Sequence, residues 1–444
     1  MPASLVINSA WLKQLFISQQ KLQTIRCGIF HSALVDTLAS PFAGQAWFAS
    51  LRYLSIPSIV GDLDDLRGCN MILKQAKHLK AISLPKEDLE TETMPPDASL
   101  SDTRAELGLF ARTLFSHIAP FGDGKPLALE KVIIRGTDIR YADRSWLQVF
   151  DYAQMQCLVL RKCIGTCAFP DQLATRLSSF ETAFTSFEVM LTTTANVAQI
   201  ERFLDVCSRL RNLTLSYHVD PMDSTSFPAN ATLLQAAATL KVLMLDVRAP
   251  LANMPDRSEA FPPPPTYIQA LVSDLPELQE LAIGFPECIL SNRKQILNEA
   301  FRAQLEAVAK LPKLRALRIL SWPEAPDDIA DDIRGLEEEI GVESEFMRLR
   351  YLPILDNFAA QVAKCIDGVR HDNGLSPLRA LCIGSKWEQG LVVSEDGTAA
   401  FSAEPVCYVT RWQLDFVGQK TVMAVRVSGS DVYYDEAYEI LRDV

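Results

Sequence analysis

One short alternation of apolar and polar positions recurs along this chain. It reads L-x-x-L-x-Φ, with Φ apolar, and is clearest in Leu79-Lys-Ala-Ile82-Ser-Leu84. Eleven stretches carry it. The first five are Leu22/Ile25/Cys27, Leu51/Leu54/Ile56, Leu79/Ile82/Leu84, Leu129/Val132/Ile134 and Met155/Leu158/Leu160. The others are Phe184/Phe187/Val189, Leu210/Leu213/Leu215, Leu240/Leu243/Leu245, Leu278/Leu281/Ile283, Leu314/Leu317/Ile319 and Leu378/Leu381/Ile383. Most successive starts are 26 to 38 residues apart, the length of one strand, one helix and two loops. The second and third apolar positions are two residues apart, so on a strand they share a face. The first precedes the strand and turns the chain into the core.

The segments ahead of the pattern have helical spacing. Ile200, Phe203, Leu204 and Cys207 precede Leu210; Ile268, Leu271 and Val272 precede Leu278; Phe301, Leu305 and Val308 precede Leu314. Steps of three and four place one apolar stripe against the strands. A single helix–strand unit cannot hide its own apolar face, but a stack of them can. The predicted fold is therefore α/β: a leucine-rich-repeat solenoid, a curved parallel sheet with outer helices. A doubly wound sheet also alternates helix and strand, but its strands are longer apolar runs, and eleven in one sheet would be many.

The period is interrupted three times within residues 1–384, at 85–118, 249–265 and 323–347. Residues 85–99 read as an acidic surface loop, and Leu107, Phe110, Leu114 and Ile118 then have helical spacing. Pro262 to Pro265 predict a stiff polyproline loop rather than a docking motif. The third insertion is acidic and reads as a solvated amphipathic helix. Just after it, Leu349/Leu352/Ile354 fits either strand or helix. Residues 385–444 form the predicted C-terminal cap, small and of mixed or antiparallel β structure. In it Val409, Trp412, Leu414 and Phe416 face Val422, Val425 and Val427 across a turn near Gly418. The first repeat starts close to Met1, and no capping unit is legible ahead of it.

The net charge is −12, which argues against a general nucleic-acid or anionic-membrane binder. No apolar run is long enough to span a bilayer, and the N-terminus does not read as a secretory signal. The ten cysteines are scattered, and several occupy apolar repeat positions, so they read as reduced thiols in a cytoplasmic or nuclear protein.

No catalytic or cofactor motif stands out, and the chain reads as a non-enzyme without cofactor or metal. Gly122-Asp-Gly124-Lys125 is too short for a phosphate loop and lacks its Ser/Thr. Cys163-x3-Cys167, with Cys157 nearby, lacks a second pair at zinc spacing. What remains is surface. Residues alternating with the buried ones line the inner face of a solenoid, where Ile133, Val159, Met190 and Met244 mix with Lys131, Arg135 and Arg161. An apolar patch with a basic rim is the candidate protein-binding site.

The repeat cores LRYLSI, LKAISL, LRNLTL, LKVLML, LQELAI, LRALRI and LRALCI, with the insertions and mixed tail, resemble fungal F-box/leucine-rich-repeat proteins over residues 20–385. The resemblance implies substrate capture by the repeats, and an N-terminal F-box that binds the adaptor of a Skp–cullin ubiquitin ligase. No F-box is legible ahead of Leu22, so the likeness covers the repeat region alone and carries over no functional residue. The expected role is protein recognition, with a cullin adaptor as partner if an F-box is supplied upstream. A scaffold unrelated to ubiquitin and a GTPase-type regulator are the alternatives.

Overall fold

The computed structural model describes residues 14, 19, 21–26, 47–55, 63–84, 109–136, 147–161, 163, 168–178, 182–194, 197–219, 227–251, 254–286, 297–321, 352–384, 392–393, 399–400, 405–414 and 420–427. The chain falls into two compact units, Met1–Leu210 and Arg211–Val444.

Among the described residues the first unit holds six strands: β1 (Thr24–Arg26), β2 (Tyr53–Ser55), β3 (Ala81–Ser83), β4 (Lys131–Arg135), β5 (Cys157–Arg161) and β6 (Ser186–Thr194). They pair in parallel in chain order. Their register aligns the second apolar position of each repeat: Ile25, Leu54, Ile82, Val132, Leu158 and Phe187. Among the described residues three helices lie between them, α1 (Leu63–Gln75), α2 (Leu109–Leu114) and α3 (Ala168–Leu177), and α4 (Val197–Leu204) follows β6. The stripe predicted before Leu210 is the buried face of α4, where Phe203 meets Phe187 with ring centroids 4.4 Å apart.

The second unit continues the pattern with β7 (Asn212–His218), β8 (Val242–Leu251), β10 (Glu280–Ile283), β11 (Ala316–Ile319) and β12 (Ala380–Ile383), all parallel. Leu213, Leu243, Leu281, Leu317 and Leu381 form one aligned, buried row. Helices α5 (Asn230–Leu234), α6 (Pro265–Asp274), α7 (Glu299–Val308) and α8 (Leu352–Asp372) accompany these strands. Helix α7 starts where Asn298 accepts a hydrogen bond from the Phe301 amide at 2.8 Å, a side-chain cap for an orphan N–H. Its buried stripe includes the predicted Phe301, Leu305 and Val308. Each unit is thus an α/β solenoid, as the repeat predicted.

The same backbone joint recurs at the rungs. The carbonyl of Arg211 takes the amides of Lys241 and Val242, that of Lys241 takes Gln279 and Glu280, and that of Gln279 takes Arg315 and Ala316. Arg315 likewise takes Arg379 and Ala380. At Arg379 the series changes, because its carbonyl accepts Thr410 N–H at 3.0 Å. Thr410 belongs to β15 (Val406–Leu414), which runs antiparallel to β12 and pairs with β16 (Lys420–Val427) in a second antiparallel ladder. The predicted C-terminal β structure therefore continues the sheet itself and occupies the acceptors that would otherwise be bare. Its ladder aligns Val409 with Val425 and Trp412 with Val422. A separate short pair, β13 (Val392–Val393) and β14 (Ala399–Ala400), is also antiparallel.

One region differs from expectation, and one open reading is decided. The insertion read as a stiff loop at 249–265 contains β9 (Met254–Ala260), which folds back antiparallel on β8. Pro250 and Pro255 obscured the strands, since proline is tolerated only at edges or irregularities, and the ladder shifts register beside Pro250. The prolines that follow lead into a helix: Pro264 is extended at the N-cap and Pro265 opens α6, where a missing N–H costs nothing. Leu352 and Ile354 are helical rather than a rung. The stripe Leu355, Phe358, Ala359, Val362, Ala363 and Ile366 decides this, and Pro353 is harmless in a first turn. Helix α8 ends in a Schellman motif: Leu375 N–H reaches Arg370 O at 2.8 Å, Gly374 N–H reaches His371 O at 3.0 Å, and Gly374 takes φ 64°. The insertions at 85–108 and 323–347 lie outside the described residues.

Candidate functional site

Six of the seven candidate residues converge on neighbouring strands of the first unit. Across β4, β5 and β6 the register rows are Lys131–Cys157–Ser186, Ile133–Val159–Glu188 and Arg135–Arg161–Met190. All nine positions share the face opposite the aligned leucine row, as strand alternation requires. Met244 is on β8, in the second unit.

Burial corrects the expected apolar patch. Ile133 is 8% exposed, Val159 6%, Met190 6% and Met244 2%. None offers apolar area to a partner. These strands are buried on both faces at mid-strand, and periodicity along one strand cannot reveal what covers its second face. The residues that do reach solvent are polar: Arg135 is exposed, and Lys131, Cys157, Arg161, Ser186 and Glu188 are partly so. Arg161 and Glu188 form a two-pronged ion pair, Nε to Oε1 at 2.6 Å and Nη2 to Oε2 at 3.1 Å. Such paired, charge-assisted bonds fix the guanidinium plane and make Arg161 a rigid wall beside Arg135. Glu188 was not among the seven candidates; its position one strand along from Arg161, on the same face, was the available signal.

In the second unit the same face is closed. Val242, Met244, Ala282, Ala316, Ala380 and Cys382 form one buried cluster, with Ala260, Leu320 and Cys407. Glu280 and Arg318 are buried on this face as well. At its β7–β8 end Asp246 is fully buried, accepting Arg248 Nε at 3.0 Å and Ser216 Oγ at 3.4 Å. His218 is Arg248's register partner. Burial, then the Arg248 cation, lowers its pKa, partly offset by Asp246. Ser216 donates to the carboxylate rather than to an imidazole, so this is an anchored ion pair at the base of the β8–β9 hairpin and not an activated nucleophile.

Other chemistry-bearing residues also have structural employment. Asn70 donates to Leu114 O at 2.7 Å and lies 2.8 Å from His117 Nδ1. Burial, with the nearby Lys74 cation, pushes His117 down to about 4, so the ring is neutral and its Nδ1 accepts. A Cβ on Gly124 would lie 2.3 Å from His117 O, and one on Gly122 would lie 2.8 Å from the His117 carbonyl carbon. Close backbone approach explains these glycines, not phosphate binding. Cys163 donates to Ile134 O at 3.4 Å, while Cys167 lies outside the described residues. Among the described residues no group of three His, Cys, Asp or Glu could hold a metal ion. A cleft of about 630 Å³ runs along the end of α8, where Lys364, Asp367 and His371 face Trp412 and Val422 of the hairpin.

No protein-family model matches the chain, and a search of curated proteins also finds no match. Among the described residues no helix is long and apolar enough to cross a membrane.

Proposed function

We propose that this chain is a non-enzymatic protein-recognition solenoid, and that its docking strip is the partly exposed polar face of β4–β6. The observation that supports this reading is the neighbouring pair Arg135 and Arg161, the latter held in plane by Glu188, with Lys131 at the start of the same strand as Arg135. A guanidinium held in plane favours a carboxylate-bearing protein partner, because its orientation is set before binding. The partner search is best run with the full chain and a Lys131→Glu/Arg135→Glu variant, leaving the Arg161–Glu188 pair intact. Affinity capture and quantitative mass spectrometry should recover proteins with the parent chain that the variant loses by tenfold or more. Identical protein sets from the two chains would end the reading.

Substrate capture for a Skp–cullin ligase is the narrower form of the same proposal, resting on the repeat cores. Recovery of the cullin adaptor supports it. Stable partners without that adaptor favour a scaffold.

A further inference from the structure

The last parallel strand and the returning hairpin set two cysteines side by side. Cys382 on β12 is the register partner of Cys407 on β15. The bond from Thr410 N–H to Arg379 O makes 379/410 a hydrogen-bonded pair. Antiparallel pairs alternate, so 381/408 is hydrogen-bonded, while 380/409 and 382/407 are not. Non-hydrogen-bonded partners are the closer kind, with Cα atoms about 4.5 Å apart, which lies inside the span a disulfide bridges. Both residues are free thiols, both are buried, and their side chains hydrogen-bond to each other.

The surroundings favour ionisation of one member. Arg318 is the register partner of Cys382 on the other side, fully buried, its Nε fixed by Gly384 O at 2.9 Å. Burial pushes the Cys382 thiol up, but the Cys407 hydrogen bond, the Arg318 cation and the Ile383 amide outweigh it and hold it below its ordinary value. The same hydrogen bond, with burial, pushes Cys407 up. Because Arg318 is the register partner of Cys382, Cys382 is assigned as the nucleophile and Cys407 as the resolving group. By contrast burial alone pushes Cys207 up to about 12, leaving it inert.

We propose that Cys382 and Cys407 are a redox pair that reduces a hydroperoxide and closes to a disulfide, joining the last solenoid strand to the C-terminal hairpin. The Cys382 thiolate attacks the terminal peroxide oxygen. The O–O bond breaks, the alkoxide leaves and takes a proton as the alcohol, and Cys382 becomes a sulfenic acid. The Cys407 sulfur then attacks the Cys382 sulfur; the S–S bond forms, the S–O bond breaks, and hydroxide leaves with the Cys407 proton as water. Two thiols lose two electrons and two protons, and the hydroperoxide becomes alcohol and water. Access comes from opening of β15–β16, the final pair of the sheet order in this unit, so the rate follows hairpin opening.

The test uses the reduced full chain under native conditions, treated with hydrogen peroxide, quenched with a thiol alkylator, and mapped by non-reducing peptide mass spectrometry. A dominant Cys382–Cys407 cross-link is expected, reversed by dithiothreitol, while Cys69 and Cys207 stay reduced. The oxidised chain should melt a few degrees higher, and that gain should vanish on reduction. Cys407→Ser should leave Cys382 as a sulfenic acid that dimedone traps. Should that variant fail to fold, the parent chain's map decides alone. The proposal is overturned if both thiols remain alkylatable after treatment and unfolding. It is equally overturned if Cys382 proceeds to the sulfinic acid while Cys407 stays a thiol.

Discussion

The Arg370 guanidinium donates from Nη1 to the carbonyl of Leu311 at 2.8 Å, tying α8 to the turn that follows α7. It also reaches Ala309 O at 3.1 Å and Ser376 O, so one fully buried side chain satisfies carbonyls before and after its own helix. A helix C-terminus leaves its last carbonyls without partners, and here a neighbouring repeat supplies the donor. Replacing Arg370 by Met keeps the apolar stem but removes the donors, and should cost about 3 kcal/mol in urea unfolding. Arg370→Lys should recover only part of that, since one ammonium cannot fork among these acceptors.

His117 makes stability depend on pH in a defined window. Its folded pKa is about 4, against 6.5 when unperturbed. Between those values the unfolded chain binds a proton that the folded chain refuses, so stability falls as pH drops from 6.5 and levels off near 4. The ring is only partly buried, and after solvent screening the loss is about 1–2 kcal/mol. His117→Gln should flatten that part of the unfolding profile, measured by urea titration from pH 7 to pH 4. An unchanged slope would show that other groups cause it.

Gly284 marks where the β9 end meets the solenoid. A Cβ there would lie 2.7 Å from Phe261 O and 3.0 Å from its carbonyl carbon, backbone atoms that cannot swing aside. Gly284→Ala should therefore cost about 1–3 kcal/mol. Hydrogen exchange should show lost protection at Phe261 N–H, which bonds Val247 O at 2.7 Å.

The leucine row and the surface should respond oppositely to one chemical change. Leu317 is fully buried in the aligned row, whereas Leu234 is 45% exposed. Leu317→Ala should lose about 3 kcal/mol, and Leu234→Ala no more than about 0.5 kcal/mol, in matched denaturation curves.

The basic members of the candidate site were legible because strand alternation fixes which residues share a face, and parallel register places Arg135 beside Arg161. The burial of Ile133, Val159, Met190 and Met244 was not. A single strand's pattern records which positions are apolar, as in Val132-Ile-Ile134 and Leu158-Val-Leu160, but not what lies over the second face.

The sequence by itself determined the rung. L-x-x-L-x-Φ sets a strand, its buried side and its helix, because those choices rest on contacts within one repeat and the next. The tertiary structure alone decided how the series ends and which neighbours meet. Thr410 takes the last rung's carbonyl, Cys407 lands on Cys382, and Arg370 crosses to Leu311. Those pairings join residues 25 to 59 positions apart, where no local period operates and only packing of whole elements selects the partner.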